Sequence, residues 1–153
     1  MTEAAELIND VAKLDPREAA ERLIRFQQKQ RGWLDAFAEH LDRRRSGESL
    51  ARTLTVWGLS QSEAARLFGV SRQALSKWIE QGVPAERTEA VADLAAATDL
   101  LVHYLKRDRI PAVVRRAIPT LGGRSLIDLF ESGDSRATLR ACREMFSFAN
   151  AHS

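Results

Sequence analysis

Four polar residues, Arg72, Gln73, Ser76 and Lys77, are spaced so that a helix would present them together to solvent. An arginine can donate two hydrogen bonds to guanine, and a glutamine can pair in a similar way with adenine. Ser76 and Lys77 follow about one helical turn after the first pair, where base edges or phosphates come within reach. The set therefore predicts a surface that contacts the major groove of DNA.

Residues 60–79 predict the two helices that would position this surface. Ser60 and Glu63 have the spacing of a capping box, which opens a first helix. Gly69 falls where the chain must turn with a positive φ, a conformation that glycine adopts readily. Ser71 can cap a second helix, so the run predicts a helix-turn-helix. Small or apolar residues occupy the positions that this motif buries: Ala64, Ala65, Phe68, Val70, Leu75 and Trp78.

Seven residues of this motif are predicted to contact DNA, at the helix starts or on the outward face of the second helix: Ser60, Gln61, Ser71, Arg72, Gln73, Ser76 and Lys77. The free backbone N–H groups at a helix start point towards phosphate. Because one such helix contacts only a few base pairs, we expect a homodimer on a two-fold operator. Trp33, Phe37 and Leu41 form an apolar stripe that would join two copies or fold back on its own chain, and the sequence favours neither.

Charge is distributed unevenly along the chain, although the whole sequence has a net charge of only +2. Residues 1–42 contain 9 acids and 6 bases, a balance of −3. Residues 43–82 contain 7 bases and 3 acids, a balance of +4. The basic excess coincides with the predicted helix-turn-helix, which is typical of a surface that meets phosphates.

The hydrophobic pattern is helical throughout and predicts an all-α fold. Pro16 would begin a helix that runs to about Arg44, where the Ser46-Gly47 pair would end it. Other helices are expected at residues 3–14, 49–57, 85–107, 112–118, 126–130 and 135–149. The predicted domains are an N-terminal helical extension (1–46), a helix-turn-helix domain (47–84) and a small helical C-terminal lobe (85–153).

What the sequence lacks argues against a membrane protein, a secreted protein and an enzyme. No apolar stretch reaches the ~20 residues that a membrane-spanning helix requires, and the acidic first residues are unlike a signal peptide. The single Cys142 excludes an internal disulfide and is expected to be a buried apolar side chain rather than a nucleophile. His40, His103 and His152 have no metal-site spacing, and no Gly-rich phosphate loop is present. We therefore expect a cytoplasmic protein without catalytic activity, metal or cofactor.

Residues 109–134, in the C-terminal lobe, predict short helices bounded by proline and glycine. Together with the helix-turn-helix, this segment resembles the Xre/ParS-type antitoxin family of bacterial toxin–antitoxin pairs, in which a helix-turn-helix precedes a small toxin-binding domain. The resemblance covers about residues 50–149 and departs from the family pattern at Leu126, where proline is common. Residues 1–45 have no counterpart in it. The matching residues are Pro119, Leu121, Gly122, Gly123, Arg124, Ser125, Asp128, Leu129, Phe130 and Gly133.

The family resemblance implies a toxin partner of the RES fold, which consumes NAD and is neutralised by the C-terminal domain of the antitoxin. It also implies repression of the pair's own promoter, and it places residues 146–153 near the active site of the toxin. Two alternatives stay open: a stand-alone dimeric helix-turn-helix regulator whose C-terminal lobe only dimerises, and an interaction module that no longer contacts DNA. The residues predicted to bind the toxin are Gly123, Arg124, Ser125, Phe130, Arg140, Arg143 and Phe146.

Overall fold

Helices form most of the polypeptide in the computed structural model, which describes residues 3–151 apart from the side-chain environments of residues 3, 4, 27 and 148–151. An isolated antiparallel bridge joins Ile118 and Arg124, and the described residues form no strand. The predicted all-α fold is confirmed. The α-helices of this range are α1 (Glu3–Val11), α2 (Pro16–Lys29), α3 (Arg31–Trp57), α4 (Gln61–Phe68), α5 (Arg72–Gln81), α6 (Thr88–Tyr104), α7 (Ile110–Arg115), α8 (Leu126–Glu131) and α9 (Ser135–Ala151).

The chain divides within α3 into two compact units, Met1–Leu41 and Asp42–Ser153, called here the N-terminal unit and the main unit. Helices α4 to α9 all belong to the main unit, so the predicted helix-turn-helix and the C-terminal lobe share one compact body. No helix in the described part of the chain is long and apolar enough to cross a membrane.

The N-terminal unit contains α1, α2 and the first part of α3. Phe26 is its one buried apolar side chain among those that the structure describes. The edge of the Phe26 ring packs against Trp33, with ring centroids 5.5 Å apart, and Trp33 stacks on Phe37 at 5.3 Å. Part of the predicted apolar stripe thus folds back on its own chain, while Phe37 and Leu41 stay exposed.

The prediction of one helix from Pro16 to Arg44 is wrong. Helix α2 ends at Lys29, because Gln30 leaves the helical region with φ −141° and ψ 67°. A new helix, α3, then begins at Arg31 and continues through the Ser46-Gly47 pair to Trp57. The predicted helix 49–57 is therefore the last part of α3, although Gly58 ends it as expected, with φ 67°.

Tertiary contact explains why Ser46 and Gly47 do not end the helix. A Cβ atom on Gly47 would lie 2.6 Å from the carbonyl oxygen of Ile79 in α5, so only glycine allows this approach. The Ser46 hydroxyl donates to the Arg43 carbonyl at 2.6 Å and accepts from the Val83 backbone N–H at 3.0 Å. The pair is thus the place where the end of α5 packs against α3.

The core of the main unit joins α3 to α6. Trp57 is fully buried, and its indole N–H donates to the Thr98 hydroxyl at 3.0 Å. Thr98 in turn donates to the Leu94 carbonyl at 2.7 Å, so both buried polar groups are paired. Arg52 and Asp99 form an ion pair at 2.6 Å at the edge of the same contact.

The C-terminal helices begin and end close to the predicted positions. Prediction extended α6 to residue 107, but the helix ends at Tyr104. The helix predicted at 112–118 is α7, displaced towards the N-terminus because Pro111 occupies a first-turn position. Asp134 caps α9 by accepting from the Ala137 N–H at 2.8 Å, one of the two caps expected there. Helix α9 packs on α6 and α8.

Candidate functional site

The caps and the turn predicted for residues 60–79 are present, whereas Val70, predicted to be buried, is half-buried. The Ser60 hydroxyl accepts from the Glu63 N–H at 3.1 Å, and the Glu63 carboxylate accepts from the Ser60 N–H at 2.8 Å, which completes the capping box. Gly69 ends α4 with φ 68°. Ser71 opens α5 by accepting from the Ala74 N–H at 3.1 Å. Two capped helices therefore meet at a glycine turn, as expected.

The seven residues predicted to contact DNA are brought together on this helix pair. Arg72, Gln73 and Lys77 are exposed, whereas Ser76 is half-buried. Ser60, Gln61 and Ser71 are exposed at the two helix starts. The opposite side of the pair is apolar and buried: Ala64, Ala65, Leu67, Phe68, Leu75 and Trp78. Six of the seven predicted residues are thus exposed, and the helices that carry them are packed on their opposite side.

Arg87 stabilises this helix pair, a role that the sequence did not indicate. Its guanidinium donates to the Phe68 carbonyl at the end of α4, at 3.2 Å, and lies 5.7 Å from the centroid of the Trp78 ring in α5. Phe68 and Trp78 pack edge to face at 5.6 Å. Arg87 lies in a 3₁₀ turn beyond the motif, so no local pattern would have identified it.

Arg115 of α7 is a second residue that the sequence did not identify. Its guanidinium donates to the carbonyls of Trp57 at 3.0 Å and Gly58 at 2.9 Å, at the end of α3. It also lies 3.9 Å from the Glu63 carboxylate, at the start of α4. The side chain joins segments more than 50 residues apart in sequence, which explains why a local pattern did not show it.

The glycine turn of the C-terminal lobe is formed as predicted. Gly122 and Gly123 adopt φ values of 68° and 81°. The Ile118 N–H donates to the Arg124 carbonyl at 3.0 Å and closes the turn. Gly123 and Arg124 are exposed, whereas Ser125 is buried at the start of α8. Two of the predicted toxin contacts thus lie on the surface of this turn.

Ser125 and Asp128 form a second capping box. The Asp128 N–H donates to the Ser125 hydroxyl at 3.1 Å, and the Ser125 N–H donates to the Asp128 carboxylate at 2.8 Å. The backbone N–H and hydroxyl of Ser125 lower the pKa of Asp128, and those of Ser60 lower the pKa of Glu63 in the same way. Asp128 therefore has a structural role in capping α8.

Phe130 and Phe146, predicted to contact a toxin, lie in the interior. Phe130 is 5% exposed and packs edge to face against Phe68 of α4, with centroids 4.8 Å apart. Phe146 is 6% exposed and stacks on Tyr104 at 4.5 Å. Among residues 146–153, the side chains of 148–151 and the whole of 152–153 lie outside the described structure.

Arg140 and Arg143 are exposed on α9 and line an open groove of about 560 Å³. Leu139, Asp93 and Arg136 complete its lining. Asp93 accepts from the Ser135 hydroxyl at 3.1 Å, and Arg136 pairs with Glu89. The groove therefore presents exposed arginines above the buried Leu139, and arginine is enriched in protein interfaces.

The single cysteine is buried, as expected. Cys142 has no exposed surface, and burial raises the pKa of its thiol to about 12, so the thiol stays protonated at neutral pH. Within the described residues, no group of three or more histidine, cysteine or acidic side chains could hold a metal ion.

A solved structure shares the fold of this chain. It is a chain in the crystal structure of the M. tuberculosis MbcT–MbcA toxin–antitoxin complex, with a TM-score of 0.53 and 21% sequence identity. The likeness covers 65% of the present chain and 91% of the other. No family model and no curated protein matches the sequence.

Proposed function

We propose that this chain is the antitoxin of a bacterial type II toxin–antitoxin pair. It binds and neutralises a RES-type, NAD-consuming toxin in the cytoplasm, without catalysis of its own, and represses its own operon through α4 and α5. The observation that carries the proposal is the fold shared with a chain of the MbcT–MbcA toxin–antitoxin complex. The turn at residues 118–125, with the residues of the family pattern, supports the same assignment.

The toxin surface in this proposal consists of the exposed members of the predicted set. Gly123 and Arg124 supply the turn, and Arg140 and Arg143 supply the α9 groove. The buried members Ser125, Phe130 and Phe146 support this surface from within, by capping α8 and by packing the helices. Exposed arginines suit a partner that presents acidic groups.

Co-purification with the product of the adjacent reading frame tests the toxin proposal. We expect a stable complex, with NAD levels and growth restored in cells that express both proteins. Charge reversal by Arg140→Glu with Arg143→Glu should weaken capture of the toxin at least tenfold. Arg17→Glu with Arg25→Glu is the matched control, because it makes the same charge change in the N-terminal unit. Capture of no partner would contradict the proposal and leave a stand-alone regulator.

The DNA surface in this proposal is the outward face of α4 and α5. Ser60 and Ser71 use their oxygens as helix caps, and the Ser71 hydroxyl proton remains available to a phosphate oxygen. Arg72→Ala should reduce affinity at one operator position by about 1–3 kcal/mol, whereas Lys77→Ala should weaken binding to all sequences alike. Fluorescence anisotropy with single-base operator variants measures both effects. Unchanged operator affinity in Arg72→Ala would refute this assignment and favour an interaction module that does not contact DNA.

Operator binding requires a homodimer, and the N-terminal unit offers the surface for it. Phe37 and Leu41 are 39% and 38% exposed on α3, one helical turn apart, so two copies of α3 would bury them together. Phe37→Glu should convert a dimer to a monomer in light scattering. Ala36→Glu, an exposed residue of the same helix outside the stripe, should leave the dimer intact. A monomeric wild-type chain would overturn this part of the proposal.

A further inference from the structure

A second concentration of positive charge lies in the C-terminal lobe, at residues 106–116. Against the single acid Asp108, this segment contains five bases, so its net charge is +4. The segment comprises the 3₁₀ turn Arg107–Arg109 and helix α7. Its bases are all exposed: Lys106, Arg107, Arg109, Arg115 and Arg116.

Four of these five cations have no partner among the residues that the structure describes. In the part of the chain that the structure describes, the side chains of Lys106, Arg107, Arg109 and Arg116 make no hydrogen bond or ion pair. Neighbouring like charges repel one another, and the single carboxylate of Asp108 offsets only part of the repulsion among five bases. The segment is therefore suited to an external anion that meets several cations at once.

Helix α7 packs against the segment that leads into α4. A Cβ atom on Gly58 would lie 3.0 Å from the Cβ atom of Pro111, so the two backbones approach closely. Arg115 reaches the Gly58 carbonyl at 2.9 Å and the Glu63 carboxylate at 3.9 Å. Arg109 and Arg116 are the cap residues directly before and after α7. The unpaired cations thus belong to the element beside the start of α4.

Arg115 also reduces the electrostatic repulsion that a phosphate would meet beside the start of α4. The carbonyl groups at the end of a helix carry partial negative charge, which would repel a phosphate. At the end of α3, the Trp57 and Gly58 carbonyls accept hydrogen bonds from the Arg115 guanidinium. The start of α4 therefore lies beside a helix end whose carbonyls are paired, and the Glu63 carboxylate there lies near the Arg115 guanidinium.

We infer that residues 106–116 bind the DNA phosphate backbone beside the start of α4, so that the C-terminal lobe extends the contact made by α4 and α5. This inference rests on the proposed operator binding. Four of the five cations are arginines, whose planar groups match phosphate oxygens in pairs. Phosphate is favoured over an acidic protein because the neighbouring start of α4 also points free N–H groups at an anion.

The salt dependence of DNA binding tests the inference. The full chain is titrated by anisotropy against a labelled duplex from its own promoter, between about 50 and about 200 mM KCl. For Arg109→Gln with Arg116→Gln, the slope of log K against log salt should fall in magnitude by about two, because two phosphate contacts are lost. The control pair Arg17→Gln and Arg25→Gln removes the same charge from the N-terminal unit and should leave the slope unchanged. An unchanged melting temperature shows that both variants are folded.

The other outcomes separate this inference from the proposal on which it depends. If the wild-type chain binds the duplex and the double variant keeps the wild-type slope, the inference is overturned while operator binding stands. If the double variant keeps that slope but loses capture of the toxin, the segment is a protein interface instead. If the wild-type chain does not bind its promoter duplex at all, operator binding and this inference fall together.

Discussion

The N-terminal unit and the main unit are both helical, but they differ in what their helices bury. Phe26 is the one apolar side chain buried in the first unit, and every other buried apolar side chain among the described residues lies in the second. Of the five large apolar side chains that are exposed among the described residues, four belong to the N-terminal unit: Ile8, Ile24, Phe37 and Leu41. Caps and periodicity are thus enough to form helices, whereas a core requires contacts distant in sequence or a second chain.

The largest effect expected from this comparison concerns the two glycines of α3. Gly47→Ala should destabilise the main unit by roughly 2–3 kcal/mol, because the added Cβ would lie 2.6 Å from the Ile79 carbonyl oxygen. Gly32→Ala, in the N-terminal unit, has nothing within 4 Å and should stabilise the helix by roughly 0.5 kcal/mol. Urea unfolding followed by circular dichroism measures both changes. Equal changes in the free energy of unfolding for the two substitutions would show that the two units do not differ in how closely their helices pack.

The second effect concerns the polar contact inside the main unit. Thr98→Val should cost about 2 kcal/mol, because the buried Trp57 indole N–H loses its acceptor. Thr55→Val is the control on α3: its hydroxyl is exposed and bonds only the Ala51 carbonyl, so the change should stay within about 0.5 kcal/mol. Thermal unfolding of both variants gives the comparison. A Thr98→Val protein as stable as the wild type would mean that this hydrogen bond contributes little.

A smaller effect separates helix caps in the two units. Ser125→Ala should lower the stability of the main unit by about 1 kcal/mol, since it removes a cap from the buried helix α8. Asp15, which caps α2 by accepting from the Arg17 N–H at 2.9 Å, lies in the N-terminal unit. Asp15→Ala should therefore reduce the helical signal without shifting the main unfolding transition. A shift of that transition would show that the two units unfold together.

The smallest effect is the pH dependence of the two capping boxes in the main unit. The pKa values of Glu63 and Asp128 lie below their ordinary values of 4.5 and 3.8, so the caps stabilise the fold fully above those values. This stability is lost as the pH falls below about 4.5 and through the lowered pKa values. Glu63→Gln with Asp128→Asn keeps acceptors that do not titrate. Below about pH 4.5 the melting temperature of this variant should fall less steeply than that of the wild type.

Features set by neighbouring residues could be predicted from the sequence. The capping boxes at Ser60 and Ser125 and the turns at Gly69 and Gly122 depend on interactions within four residues, and all are present. The outward face of α5 followed from helical periodicity, because the exposed side of an amphipathic helix is fixed once its apolar side is buried. The exposure of Arg72, Gln73 and Lys77 on α5 was therefore predicted correctly, while contact with DNA stays a prediction.

Features that depend on distant contacts could not be predicted. Ser46 and Gly47 have the composition of a helix end, yet the carbonyls of α5 decide that the helix continues past them. Phe130 lies in the short helix that follows an exposed turn, but its ring packs against Phe68 of another helix. No local sequence pattern identifies Arg115, because the Trp57 and Gly58 carbonyls that accept its hydrogen bonds lie more than 50 residues earlier in the chain. Burial and long-range hydrogen bonds are properties of the packed chain.

The close approach at Gly47 also limits where residues can be inserted into the chain or deleted from it. Between Gly47 and Trp57, α3 is held at one end by the carbonyls of α5 and at the other by Thr98. One inserted residue in this stretch would turn the two anchor points by about 100° relative to each other, so that both contacts could not form. Within α3, insertions and deletions are therefore expected ahead of this stretch rather than inside it. Descendants of this gene can acquire, exchange or lose the N-terminal segment, while the stretch from Gly47 to Trp57 keeps a constant length.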